Sequence, residues 1–188
     1  MTLIAEKTYT PTDLLNDPDL AGQELVNGEL RERPVSKKSS KVGARIVTLL
    51  SNEADKTGQA VVYPSDMGYK CFADMPDTVR FPDVSLLSAD RDAEAGVDPG
   101  FMPIPPDLAV EVLSPNDRVS DIYQKVTEYL KAGVKLVWLV NPYWRHVHIY
   151  RADGSVQLLT EPDEITGESV LPGFGCKVGA FFRERGIS

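Results

Sequence analysis

The sequence predicts an α/β domain, a central β-sheet flanked by helices with additional β-hairpins. Three observations predict it. Val42, Ile46, Leu49, Leu50 and Ala54 recur at helical spacing. Leu136-Val137-Trp138-Leu139-Val140 is an unbroken apolar run of strand length, the pattern of a strand buried on both faces. Between that run and an earlier apolar strand, residues 107–113, lies a second helical stretch, residues 118–132.

Taken in order, Thr10-Pro11-Thr12-Asp13 opens a short helix capped by Thr10 or Thr12. Asn27-Gly28 between Glu24-Leu25-Val26 and Glu29-Leu30-Arg31 marks a tight hairpin. The first long helix covers about residues 36–56. Strands are expected at 59–64 and 68–73 around a turn at Ser65-Asp66, and at 78–87 as one run. Residues 90–106, rich in Asp, Gly and Pro, read as a long loop. The strand at 107–113 stops at Ser114-Pro115-Asn116. The helix at 118–132 places Val119, Ile122, Val126, Tyr129 and Leu130 on one face and stops at Gly133. After the buried run come an outer strand at 146–151, a strand at 156–160, and a final strand with a short amphipathic helix near 178–183. One domain over residues 1–188 is expected, with its core at about 24–150 and a β/helix extension at 151–188.

Composition bounds the function. The chain has 188 residues, 42% hydrophobic and 26% charged, which is ordinary globular usage. Cys71 and Cys176 stand alone, which argues against a structural zinc site. Met1–Lys7 has no basic-then-apolar pattern and no run suits a bilayer, so a cytoplasmic, membrane-free setting is expected. The net charge of −8 excludes a general basic coat. One block departs from it: residues 31–45 hold Arg31, Arg33, Lys37, Lys38, Lys41 and Arg45 against Glu32 alone. Lys37, Lys38, Lys41 and Arg45 lie at the start of a predicted helix, where backbone N–H groups already favour phosphate. They are the candidate contacts to DNA phosphates, and a solvated helix face is the alternative.

Two acids sit where apolar residues cost less. Asp83 follows Pro82 in a strand run, and Glu111 lies inside Leu108-Ala109-Val110-Glu111-Val112-Leu113. A buried lone carboxylate costs several kcal/mol unless paired, metal-bound or protonated. On neighbouring strands about 4.8 Å apart, two such acids could share one Mg²⁺. They could also be plain structural acids. With Val119 at zero and roughly 100° per residue, the apolar arc runs from about 280° to about 40°, and Lys125 falls near about 240°. From that border its ammonium can turn inward. Gln124 and Tyr129 could orient Lys125 or substrate, and Glu29 could add an acid. His146 and His148 share a strand face, and Ser114 ends a strand. Neither has the partners its chemistry needs.

Phe81-Pro82-Asp83-Val84, then residues 106–115 with Glu111, then Lys125-Val126-Thr127-Glu128-Tyr129, then Val137-Trp138-Leu139-Val140-Asn141-Pro142 resemble the PD-(D/E)XK nuclease superfamily. More narrowly, together with Glu24-Leu25-Val26-Asn27-Gly28-Glu29-Leu30, they resemble the Uma-type family of restriction-endonuclease-like proteins. The resemblance implies a restriction-endonuclease-like core and a DNA endonuclease using Mg²⁺ or Mn²⁺. Asp83, Glu111 and the Val112 carbonyl would be the metal ligands, and Lys125 the catalytic lysine. The superfamily's lysine place holds Leu113 here, and the role carries over to Lys125. The histidine that many relatives carry before the first long helix is absent from Lys38-Ser39-Ser40-Lys41. A homodimer is expected by analogy. The alternatives are an inactive nuclease fold that binds DNA or protein, and a metal-free carboxylate-pair hydrolase of a sugar.

Overall fold

A computed structural model describes residues 8–96 and 100–183. Helix α1 (Pro11–Asn16) is capped by Thr10, whose side chain accepts from the Asp13 N–H. Strands β1 (Gln23–Val26) and β2 (Glu29–Glu32) form the predicted hairpin. Its turn residues, Asn27 at φ 50 and Gly28 at φ 83, are the types that tolerate the left-handed region. Helix α2 (Lys37–Thr57) starts at Ser36, which caps it reciprocally with Ser39, and ends at Gly58.

Strands β3 (Ala60–Pro64), β4 (Val84–Ser88), β5 (Leu108–Val112), β6 (Leu136–Asn141), β7 (His146–Arg151) and β8 (Val156–Thr160) make one six-stranded sheet in that order. Every pairing is antiparallel except β5 with β6, which are joined by helix α4 (Val119–Ala132). A parallel neighbour needs such a crossover. β5 and β6 are fully buried apart from terminal Asn141, as their apolar runs require.

The two faces of the sheet carry separate cores. Val110, Val112, Trp138 and Val140 face α2 through Val42, Ile46 and Leu50. Strands β9 (Glu164–Gly167) and β10 (Leu171–Lys177) and the 3-10 turn Val178–Phe182 close over the same cluster, with Trp138 6.1 Å from Phe174 of β10 and 6.0 Å from Phe181 of the turn between ring centroids. Burying each such side chain contributes about 1.5–3 kcal/mol. On the other face Ala109 and Val137 meet Val126 and Tyr129 of α4. Glu111 shares the Ala109 face by strand alternation. A third cluster, Leu14, Leu20, Leu25 and Val79, seats the β1–β2 hairpin. No helix among the described residues is long and apolar enough to cross a membrane.

Five expectations are corrected. Residues 78–87 are not one strand. Pro82 has no N–H for the ladder, so Val79 bridges Leu25 and Arg80 bridges Tyr69, while the main sheet begins only at Val84. Residues 68–73 are not a strand either: only Tyr69 bridges, once to Arg80 and once to Met102. Gly68 is wedged so tightly that a Cβ there would lie 2.7 Å from Phe101. The predicted loop at 90–106 begins with a helix, α3 (Ala89–Ala95). Its Ala, Arg and Glu residues favour helix, and the Gly/Pro-rich composition starts only at Gly96; part of the expected loop, residues 97–99, lies outside the described residues. Val119 is 67% exposed rather than on the apolar face: it opens α4, whose buried residues begin only at Val126. The strand at 146–151 is also not outermost, since β8 pairs beyond it.

Candidate active site

Asp83 sits at the residue where the chain passes from the small bridges into the main sheet. The β4–β5 register pairs Val84 with Val110 and Ser85 with Ala109. Carried one residue further, it sets Asp83 opposite Glu111. Residues directly opposite in an antiparallel pair point to the same face. The Val112 N–H donates to Asp83 Oδ2 at 2.7 Å, which anchors the carboxylate at the end of β5.

Glu111 receives two side chains from α4. Tyr129 Oη donates to Oε1 at 2.8 Å, and Lys125 Nζ lies 3.3 Å from Oε2. Positions 125 and 129 are one helical turn apart, so both reach the same point of the strand. Lys125 also pairs with Glu24 Oε1 at 2.9 Å. Glu24 was not among the sequence candidates, yet it is 2% exposed and belongs to a buried network. Arg80 Nη1 donates to Glu24 Oε2 at 2.8 Å, Arg80 Nε donates to Glu128 Oε2 at 2.8 Å, and the Phe81 N–H donates to Glu24 Oε1 at 3.1 Å. Gln124 Nε2 donates to Glu128 Oε1 at 2.7 Å. No local pattern marks Glu24, since Glu24, Leu25 and Val26 are all buried and both faces of β1 are covered.

The electrostatics separate these acids. Burial pushes the Glu111 carboxyl up to about 7, with Asp83 and Glu24 adding to the rise and Lys125 opposing it. Burial also raises Asp83, against the Val112 N–H and Lys125. Burial opposes the charge on Glu24 as well, but Lys125 and Arg80 outweigh it and hold that carboxyl below its usual range. Lys125 is held above its ordinary value: burial opposes its charge, but Glu111 and Glu24 more than offset it. Four carboxylates, Glu24, Asp83, Glu111 and Glu128, thus surround two cations, Arg80 and Lys125. The excess negative charge lies on Asp83 and Glu111. Hard carboxylate oxygens with uncompensated charge fit a divalent cation of the Mg²⁺ type. Among the described residues no group of three His, Cys, Asp or Glu side chains is placed to hold a metal, so backbone oxygen or water must complete any such set.

A cleft of about 490 Å³ opens on this cluster, lined among others by Glu24, Arg80, Glu111, Val112, Gln124 and Lys125. Asp83, Glu111, Val112, Lys125, Gln124 and Tyr129 are therefore brought together or into contact. Glu29 is not. It points outward on β2 with a 59% exposed side chain and pairs with Arg31. Lys37, Lys38, Lys41 and Arg45 are exposed on the first turns of α2, away from the acids. His146 and His148 pack edge to face, 5.0 Å between centroids, on β7. Ser114 is buried at the end of β5, its N–H donating to Asp117 Oδ2 at 2.6 Å.

Known proteins resemble this chain in sequence and fold. Residues 12–179 match the family Uma2, described as "Putative restriction endonuclease". The fold is similar to the crystal structure of a "putative nuclease belonging to DUF820" from Anabaena variabilis ATCC 29413. That match has a TM-score of 0.75 and 21% identity, and covers 85% of this chain and 89% of the other. No curated protein matches the chain.

Proposed function

Because the chain belongs to the Uma2 family of restriction-endonuclease-like proteins, we propose that it hydrolyses phosphodiester bonds in DNA with the help of Mg²⁺ or Mn²⁺. The observation that carries this reading is the pair of opposed carboxylates, half-buried Asp83 and buried Glu111, with the Lys125 ammonium 3.3 Å from one of them. Asp83, Glu111 and the Val112 carbonyl would hold the cation. When bound, such an ion polarises a phosphoryl oxygen and lowers the pKa of water.

This chain's own residues do the rest. Lys125, held by Glu24 as well as Glu111, keeps a fixed positive charge beside the acids and offsets negative charge that builds on the phosphate in the transition state. Tyr129 holds one oxygen of Glu111 and so fixes which way the other faces. Gln124 positions Glu128 and lines the cleft where substrate enters. Lys37, Lys38, Lys41 and Arg45 contact phosphates at a distance from the cut and make affinity fall with salt.

Purified Asp83→Ala and Glu111→Ala variants test the reading by Mg²⁺-dependent cleavage of plasmid DNA. Loss of cutting with a retained melting transition is expected. Cutting that persists in either variant refutes it. One observation favours a second reading, a nuclease fold kept for binding alone: Leu113 occupies the superfamily's lysine place. That reading expects full DNA affinity and no carboxylate-dependent Mg²⁺ binding.

A further inference from the structure

The β6–β7 turn presents an indole to solvent. Trp144 is 79% exposed, whereas the chain's other tryptophan, Trp138, is fully buried. The turn around it is held firmly. Asn141 Oδ1 accepts from the N–H groups of Tyr143 and Trp144, both at 2.9 Å. Arg145 follows at φ 53 and pairs with Glu161. Tyr143 Oη lies 3.2 Å from Ser36 Oγ, and Lys38 Nζ sits 4.7 Å from the Tyr143 ring centroid. The turn tethers Tyr143 to the N-terminus of α2 and leaves the Trp144 indole open to solvent.

Charge says what such a ring faces. Beside the turn, Lys38, Lys41, Arg45, Arg145 and Arg183 contribute to a groove of about 810 Å³ whose lining, among the described residues, includes no acid. This is an electropositive surface on a chain of net charge −8. The turn also stands at the same end of the sheet as the acid pair, since Glu111 pairs with Leu139 and Asn141 is two residues further along β6. At about 3.3 Å per residue the step along β6 from Leu139 to the foot of the turn is roughly 7 Å, while α2 and its cations lie on the sheet face opposite Glu111.

We propose that Trp144 is a stacking platform for a base of single-stranded DNA, with the adjoining phosphates lying along Lys38, Lys41 and Arg45. An exposed aromatic beside a basic track is what base stacking needs, because every base has a π-face and every nucleotide a negative charge. The inference deepens the nuclease reading by naming the form of substrate, and it is tested without cleavage.

The full chain is titrated with an oligothymidylate in EDTA while tryptophan emission is read. Trp138 is buried, so a change reports Trp144. Quenching is expected. Trp144→Leu removes it and weakens binding of a labelled oligothymidylate by about 5- to 150-fold, while Trp144→Phe keeps most of the affinity. Lys41→Ala lowers the slope of affinity against salt by about one ion. Unchanged affinity in Trp144→Leu overturns the proposal, as does emission that responds only to duplex DNA or only to protein concentration. Under the nuclease reading, Trp144→Leu raises KM and leaves kcat in place. Cleavage that survives in Asp83→Ala sinks that reading and leaves the stacking result standing.

Discussion

Asp107 and Glu111 lie four residues apart, one just before β5 and one inside it, and alternation puts both on the same face. Both are buried acids, 1% and 9% exposed. Their surroundings differ. Asp107 has Lys135 and Arg91, each at 2.8 Å, and accepts from the Ser88 N–H at 2.8 Å. Burial works against its charge, but Lys135, Ser88 and Arg91 together hold its carboxyl below the usual range. Glu111 shares its one cation with Glu24 and faces Asp83, so its carboxyl rises to about 7. The first acid has its charge answered by two cations and acts as a structural clamp between β5, α3 and the start of β6. The second is under-answered, and that imbalance marks a site built to receive something positive.

The largest expected effect breaks the comparison outright. Glu111→Gln abolishes Mg²⁺-dependent cleavage by more than about 100-fold, since even outer-shell partners of a metal site cost about 10–100-fold. It leaves the melting temperature equal or higher, because it removes a charge the fold does not balance. Asp107→Asn does the reverse: cleavage stays, and stability falls by about 1–3 kcal/mol in a denaturant melt as its ion pairs weaken.

Mg²⁺ sharpens the contrast next. At about 100 times its dissociation constant a folded-state ligand adds about 2.7 kcal/mol. Calorimetry is expected to show that rise in the wild type and in Asp107→Asn, and none in Glu111→Gln.

The two acids also respond to pH with opposite sign. Asp107 binds its proton less readily folded than unfolded, so its contribution is present above its ordinary value of 3.8 and is lost as pH falls through the lower folded value. Glu111 binds its proton more readily folded. Its share of stability is full below 4.5 and is lost as pH rises to about 7. Urea melts across pH are expected to lose their neutral-side decline in Glu111→Gln and their acid-side decline in Asp107→Asn. The smallest effect is Lys135→Ala, under about 1 kcal/mol, because that lysine is 54% exposed and Arg91 remains.

The helices and buried strands were legible because their apolar periods are long and have one solution. Lys125 was legible for a related reason: a border position plus a long stem leaves few places for the ammonium. Asp83 and Glu111 could be picked out as acids in apolar runs, but their opposition could not, since it depends on which strands pair and in what register. Residues 78–87 misled because Pro82 moves the chain between two sets of partners, and local pattern does not show a change of partner. Glu24 and Arg80 were missed for the same reason. Each reads as an ordinary hairpin or strand charge until the hairpin docks against Val79 and Phe81, ahead of β4, and the two meet α4.

The ladder that sets Asp83 against Glu111 has a further consequence for refolding. Side chains on a strand alternate every residue, so a slip of one residue between β4 and β5 would turn one acid into the oily layer beneath α2. A half-correct sheet therefore retains no half-formed pocket. Recovery of cation binding during refolding would track correct strand alignment, and could time that event separately from collapse or helix formation.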